Sequence, residues 1–114
     1  MKPPTPLHDL ESLDAAIAES RERPVLLFKH SRHCGTSFEA LDELHAHIVG
    51  ARPGSAAYKM ITVQTHPTVS NAVSERFGIR HETPQAILIR DGKLVWSASH
   101  FRITASQLNR ALSD

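Results

Sequence analysis

Four consecutive apolar residues, Val25-Leu26-Leu27-Phe28, offer water no polar face. An alternating strand buries one side only, whereas this run must be covered on both, as at the centre of an α/β sheet. The flanking segments supply the covering layers. Leu10, Leu13 and Ile17 recur at helical spacing behind Asp9, an N-cap residue type. Pro24 ends that helix near residues 21–23, because the residue before a proline is pushed out of the α region. After the run, Phe38, Leu41, Leu44, His45 and Ile48 share one helical face, and Gly50 with Pro53-Gly54 stops this second helix.

The rest of the chain continues the alternation. Tyr58 to Gln64 reads as a second strand, and Pro67 suits the first turn of a helix whose stripe is Val69, Ala72, Val73 and Phe77, with Gly78 as its stop. Ala86 to Ile89 is a third strand, Asp91-Gly92 a hairpin turn and Leu94-Val95-Trp96 a fourth strand. Thr104 caps a last helix running through Leu112. This order predicts an α/β, thioredoxin-like fold: a central four-stranded mixed sheet flanked by helices. Three prolines within the first six residues make residues 1–8 an extended N-terminal tail, and residues 9–114 a single domain of ordinary size.

Thirteen basic and twelve acidic residues leave a formal charge of +1, with the basic residues scattered. That balance gives no electrostatic case for nucleic acid or an anionic membrane as partner. No apolar stretch reaches the roughly 20 residues of a membrane-spanning helix, and Met1 to Pro6 lack the apolar region of a signal peptide. A single cysteine cannot build a disulfide framework. A lone thiol without an export signal points to a reducing cytoplasm.

That cysteine, Cys34, lies at the junction between the apolar strand and the second helix, within His30-Ser31-Arg32-His33-Cys34-Gly35-Thr36-Ser37. Unpaired amides and the dipole at a helix N-terminus favour negative charge. A cysteine there commonly has its pKa lowered from ~8.5 towards ~7 or below. Gly35, Thr36 and Ser37 would supply the amides, and the Thr36 and Ser37 hydroxyls further hydrogen bonds to sulfur. Lys29, His30, Arg32 and His33 would raise the local potential. Buried cysteines are often inert, but the polar flanks here favour a reactive thiol. Ser37 stands where a second cysteine would complete C-x-x-C, so no internal disulfide can form. Cys34 can react only through a mixed disulfide with another molecule. Thr83-Pro84 leads into the third strand, where thioredoxin-like folds hold a cis-proline against the sulfur. Only about 5–6% of X–Pro bonds in folded proteins are cis, so this expectation comes from the topology.

These blocks together resemble the monothiol bacilliredoxin family. The likeness rests on Phe28-Lys29-His30-Ser31 ahead of Cys34-x-x-Ser37, on Phe77 to Glu82 running into Thr83-Pro84-Gln85, on Asp91-Gly92-Lys93, and on Ser99-His100 with Ile103-Thr104. It implies a thiol-disulfide oxidoreductase that removes a low-molecular-weight thiol from cytosolic proteins. Cys34 would be the nucleophile, Ser37 the replacement for a resolving cysteine, and Pro84 the cis-proline. Implied with it are S-thiolated client proteins as partners, bacillithiol or glutathione as co-substrate, no tightly bound cofactor, and a monomer. Gly35 and Thr36 depart from the proline and isoleucine expected of the family. Cys34-Gly35-Thr36-Ser37 is also similar to the Cys-Gly-Phe-Ser segment of monothiol glutaredoxins, which bind glutathione and share an iron–sulfur cluster. Thr36 replaces the aromatic residue of that motif, and Asp91-Gly92-Lys93-Leu94 stands where its Gly-Gly and acidic pair belong. A thioredoxin-like adaptor with an incidental cysteine is the third reading.

Lys29 either holds a carboxylate of the small thiol or is a solvated lysine at a strand end. Among the eight histidines, His30, His33 and Cys34 spell H-x-x-H-C, and imidazole and thiolate are zinc ligands. A strand end and a loop need not converge, and His45 and His47 point to different helix faces, so no metal is assigned. His33 reads as a modulator of the thiol pKa. His81 is either at the rim of the site or structural, His100 is structural, and Trp96 belongs to the core or to a partly buried sheet surface.

Overall fold

The computed structural model describes residues 4–113. Its strands are β1 (Thr5–Pro6), β2 (Val25–His30), β3 (Ala57–Thr62), β4 (Gln85–Arg90) and β5 (Lys93–Ser99). The helices are α1 (Leu10–Glu19), α2 (Gly35–Gly50), α3 (Pro67–Phe77) and α4 (Ala105–Ala111), with a 3₁₀ turn at His100–Arg102 before α4. The sheet order is β1-β3-β2-β4-β5. It is thioredoxin-like but has five strands instead of the expected four.

The fifth strand corrects the reading of residues 1–8 as a tail. Thr5 and Pro6 pair in parallel with Lys59 and Met60, and Leu7 is buried while its N–H donates to Met60 O at 2.9 Å. Proline has no N–H to give a neighbour, so Pro6 is compatible only with an edge. Burial of Leu7 supplies the apolar anchor. The first three residues of the expected tail lie outside the described residues.

β2 is central, parallel to β3 and antiparallel to β4, and all six of its residues are buried. Val25 and Leu27 join Leu13, Ile61, Val69, Val73, Ile87 and Ile89 in a core under α1 and α3. Leu26 and Phe28 join Ala40, Leu44, Ala86, Leu88 and Leu108 in a second core under α2 and α4. Trp96 packs against this second core, partly buried as expected. The buried stripe of α2 is Ser37, Ala40, Leu44 and His47. It is rotated from the expected one, leaving Phe38 47% exposed.

Local chemistry fixes the element ends. Asp9 caps α1 by accepting from Ser12 N at 2.8 Å, Thr104 caps α4 through Gln107 N, and Gly78 closes α3 in the left-handed region. Asp91 and Gly92 both have positive φ, as a two-residue hairpin loop requires. Their amides bond to Ser20 at the end of α1. No helix among the described residues is long and apolar enough to cross a membrane.

Packing on both faces of β2 gives a direct test. Leu26→Ala and Leu27→Ala should each destabilise the protein by about 2–5 kcal/mol, read as a fall in denaturant midpoint with little change in slope. A loss under about 1 kcal/mol at either position would show that the corresponding face is not packed as described.

Candidate functional site

β2 ends at His30 and α2 begins at Gly35, so residues 31–34 form the corner between them. Cys34 is the N-cap residue of α2, in extended conformation, partly exposed and unpaired. Its carbonyl accepts from Ser37 N at 3.1 Å and Phe38 N at 3.4 Å. Among the described residues the Gly35 and Thr36 amides have no backbone acceptor, which leaves them in the first turn beside the sulfur.

The expected Ser37 and Thr36 hydrogen bonds to sulfur are not formed among the described residues. Ser37 is fully buried. Its hydroxyl accepts from Ser31 N at 3.0 Å and lies 2.7 Å from His30 Nδ1. The hydroxyl thus ties the imidazole of the strand end to the backbone of the corner. His30 also packs edge-on against Phe38 at 4.8 Å and stacks near Phe28. Burial, and secondarily Arg32, lowers its pKa. His30 is therefore neutral near pH 7 and does not add the positive charge expected of it.

Lys29 departs further from expectation. It is 0% exposed, and its ammonium donates to Ser74 Oγ at 2.9 Å and to His81 Nδ1 at 3.1 Å. It is neither a solvated lysine nor one that can reach out to a small-thiol carboxylate. Desolvation lowers its pKa to about 8, and no carboxylate lies within ion-pair distance among the described residues. An ammonium can only donate, so His81 Nδ1 must accept and stay unprotonated. Burial and then Lys29 lower the His81 pKa, against an opposing effect of Glu82. His81 is exposed at the surface and serves both expected readings: it sits in the loop before Pro84 and is tied to the core lysine.

The Thr83–Pro84 bond is cis, as expected. Gln85 pairs with Lys29 across β2 and β4, so Pro84 lies at the same end of the sheet as the Cys34 corner. His100 donates its amide to Pro84 O at 3.1 Å from a left-handed backbone with φ 54°, a structural role carried by its main chain. Arg32 and His33 are exposed on the corner, Arg32 N bonding to Gln64 Oε1.

The H-x-x-H-C residues do not converge: His30 faces inward to Ser37 while His33 faces water. Among the described residues, no group of three or more His, Cys, Asp or Glu could hold a metal. His47 is buried between Asn109 Oδ1 at 2.6 Å and Tyr58 Oη at 2.8 Å, and burial raises the Tyr58 pKa. Sequence reasoning missed Ser74, and also Ser70, whose hydroxyl lies 3.5 Å from His81 Nδ1. Ser74 is 45 residues from Lys29, and no local pattern links them.

Comparison with known proteins follows this geometry. The family described as Monothiol bacilliredoxin BrxC matches residues 5–108. A solved protein described as an oxidoreductase candidate with a thioredoxin fold is 25% identical, with a TM-score of 0.83 over 94% of this chain and 91% of its own. Thioredoxin from Fasciola hepatica is 16% identical, with a TM-score of 0.77 over 96% of each chain. Chloroplastic thioredoxin z is 21% identical, with a TM-score of 0.77 over 99% of this chain and 94% of its own. The last two share the fold.

Two measurements test the site's interior. Ser37→Ala should cost about 1–3 kcal/mol, because it strips a partner from the Ser31 amide and from His30; an unchanged denaturation midpoint would contradict the network. The second is pH dependence. Between pH 8 and 10.5 the unfolded chain keeps the Lys29 proton that the folded chain has released. Unfolding then binds a proton, and stability from this group rises with pH. Wild type should therefore gain on Lys29→Met as pH rises above 8, and a constant difference would show that the ammonium is not desolvated. The lowered His30 and His81 pKa values act on the acid side, where stability should fall as pH drops below 6.5.

Proposed function

Because the chain belongs to the monothiol bacilliredoxin family, we propose that it removes a low-molecular-weight thiol, bacillithiol or a close analogue, from mixed disulfides on client proteins. A thiol redox role accords with both the family and the fold. One observation carries the finer reading. Cys34 is partly exposed at the start of α2, while the position three residues on holds a buried serine already engaged by Ser31 and His30.

The reaction is an exchange with no net oxidation in its first half. The Cys34 thiolate attacks the small-thiol sulfur of the client disulfide. A Cys34–small-thiol disulfide forms and the client leaves as thiolate. In the second half a free small thiol attacks this adduct, leaves as the symmetric disulfide and regenerates Cys34. Ser37 has no sulfur to do this internally, so the adduct waits for an outside thiol. The Gly35 and Thr36 amides, with no backbone acceptor among the described residues, stand in the first turn beside the reacting sulfur. The backbone of Thr83, beside Pro84, would align the client as an added strand. His33 and Arg32, exposed beside the corner, favour approach of an anion. A reducing cytoplasm is the compartment this chemistry requires, and a monomer with no bound cofactor or metal suffices for it. The glutathione-binding, cluster-sharing alternative loses Lys29, which is buried against α3.

Cys34→Ser should reduce de-thiolation of a model mixed disulfide to the uncatalysed rate, and undiminished activity would refute the proposal. Intact mass after incubation with bacillithiol, glutathione or coenzyme A disulfides should show one persistent adduct, fastest with bacillithiol. Ser37→Cys should shorten the life of that adduct by expelling the small thiol as a disulfide closes between positions 34 and 37. An equally long-lived adduct would show that position 37 is not where resolution is blocked.

A further inference from the structure

An open groove of about 370 Å³ begins at Thr36, two residues beyond Cys34, and runs between α2 and residues 100–104. Glu39, Asp42 and Glu43 line it from α2, and Phe101 and Ile103 from the other wall. Glu43 is already engaged, accepting from Ala105 N at 2.8 Å. Glu39 and Asp42 are exposed, and neither forms an ion pair with a described residue. Phe101 is 76% exposed and also borders a second depression of about 410 Å³, lined in part by Trp96, Arg102 and Gln107. The backbone presenting it is anchored, since the preceding His100 amide holds Pro84 O. Phe101 is thus an exposed aromatic ridge next to the residue that holds the cis-proline loop, sharing the groove with two unpaired carboxylates.

We infer that this groove docks a basic, extended segment of the client protein beside its modified cysteine, an inference that rests on the function proposed above. A lysine or arginine matches both walls: its aliphatic stem packs on the Phe101 ring, its charge meets Glu39 and Asp42, and the ring face adds a cation–π attraction. The small thiol is the wrong occupant, because bacillithiol and glutathione carry carboxylates that Glu39 and Asp42 repel. The helix also sets the spacing. At about 1.5 Å per residue, Glu39 and Asp42 lie roughly 7 and 12 Å along α2 from Cys34. An extended client advances about 3.3 Å per residue, so its basic residues fall about two to four positions from its cysteine.

The test uses the full chain and three substrates: a peptide bacillithiol mixed disulfide with lysine and arginine at those positions, the same peptide with glutamates there, and uncharged hydroxyethyl disulfide. At low ionic strength the basic peptide should have a kcat/KM about 3- to 10-fold above the acidic one, and added salt should shrink the gap. Glu39→Gln with Asp42→Asn should abolish the preference while leaving the hydroxyethyl disulfide rate unchanged, and Phe101→Ala should reduce it. Equal rates for the two peptides, a faster acidic peptide, or a preference that survives the double substitution would overturn the docking site. Hydroxyethyl disulfide reports on Cys34 alone, so charge-blind exchange would sink the docking site and spare the proposed function. No exchange with any of the three would sink both.

Discussion

At the end of β2 the chain stops being apolar three residues before it stops being buried. Lys29 and His30 follow Phe28 in an unbroken buried strand, and a buried polar group without a partner costs far more than the average hydrogen bond returns. Alternation sends the two side chains to opposite faces, and each face must supply its own partners. On one side α3 and the loop before Pro84 bring Ser74 and His81 to the ammonium. On the other, the first turn of α2 brings Ser37 to the imidazole. The two elements that frame the thiol are thus fastened to the same pair of strand residues.

This arrangement separates reactivity from support. The groups held inside have pKa values moved toward their neutral forms by desolvation, and their task is to fix the corner and the loop. The groups left open to water at this corner are the partly exposed sulfur and the side chains of Arg32 and His33. Ser37 belongs to the first set. A hydroxyl there cannot attack a disulfide, and its hydrogen bonds also hold the space a resolving thiol would need to move through.

The apolar run at 25–28, the helical stripes and the Asp91-Gly92 turn made the layered architecture legible in the sequence, because burial and turn geometry are local constraints. Cys34 at the strand-to-helix corner and the Thr104 cap were legible for the same reason, and the cis bond at Pro84 followed from the topology that these elements imply. The pairing of Thr5 and Pro6 was not. A two-residue strand has no periodicity, and proline usually argues against pairing. The fate of Lys29 was also hidden, since its partners come from residues 74 and 81, which only the tertiary fold brings together. The α2 stripe was misread by one position because Phe38 is the more apolar residue, yet Ser37 is the one with partners inside. Phe101 carried no signal, for nothing local marks an aromatic residue as held out in water.

The short first strand has a bearing on how the protein behaves in a crowded cell. A sheet border of unpaired amides and carbonyls invites another chain to extend it, and that is a common start of aggregation. On the β1 side the outermost strand is only two residues long and one of them is a proline, so that strand itself offers few donors. The opposite border, β5, is seven residues long and has no such block. Of the two outermost strands, Lys93–Ser99 therefore presents the longer ladder to another chain.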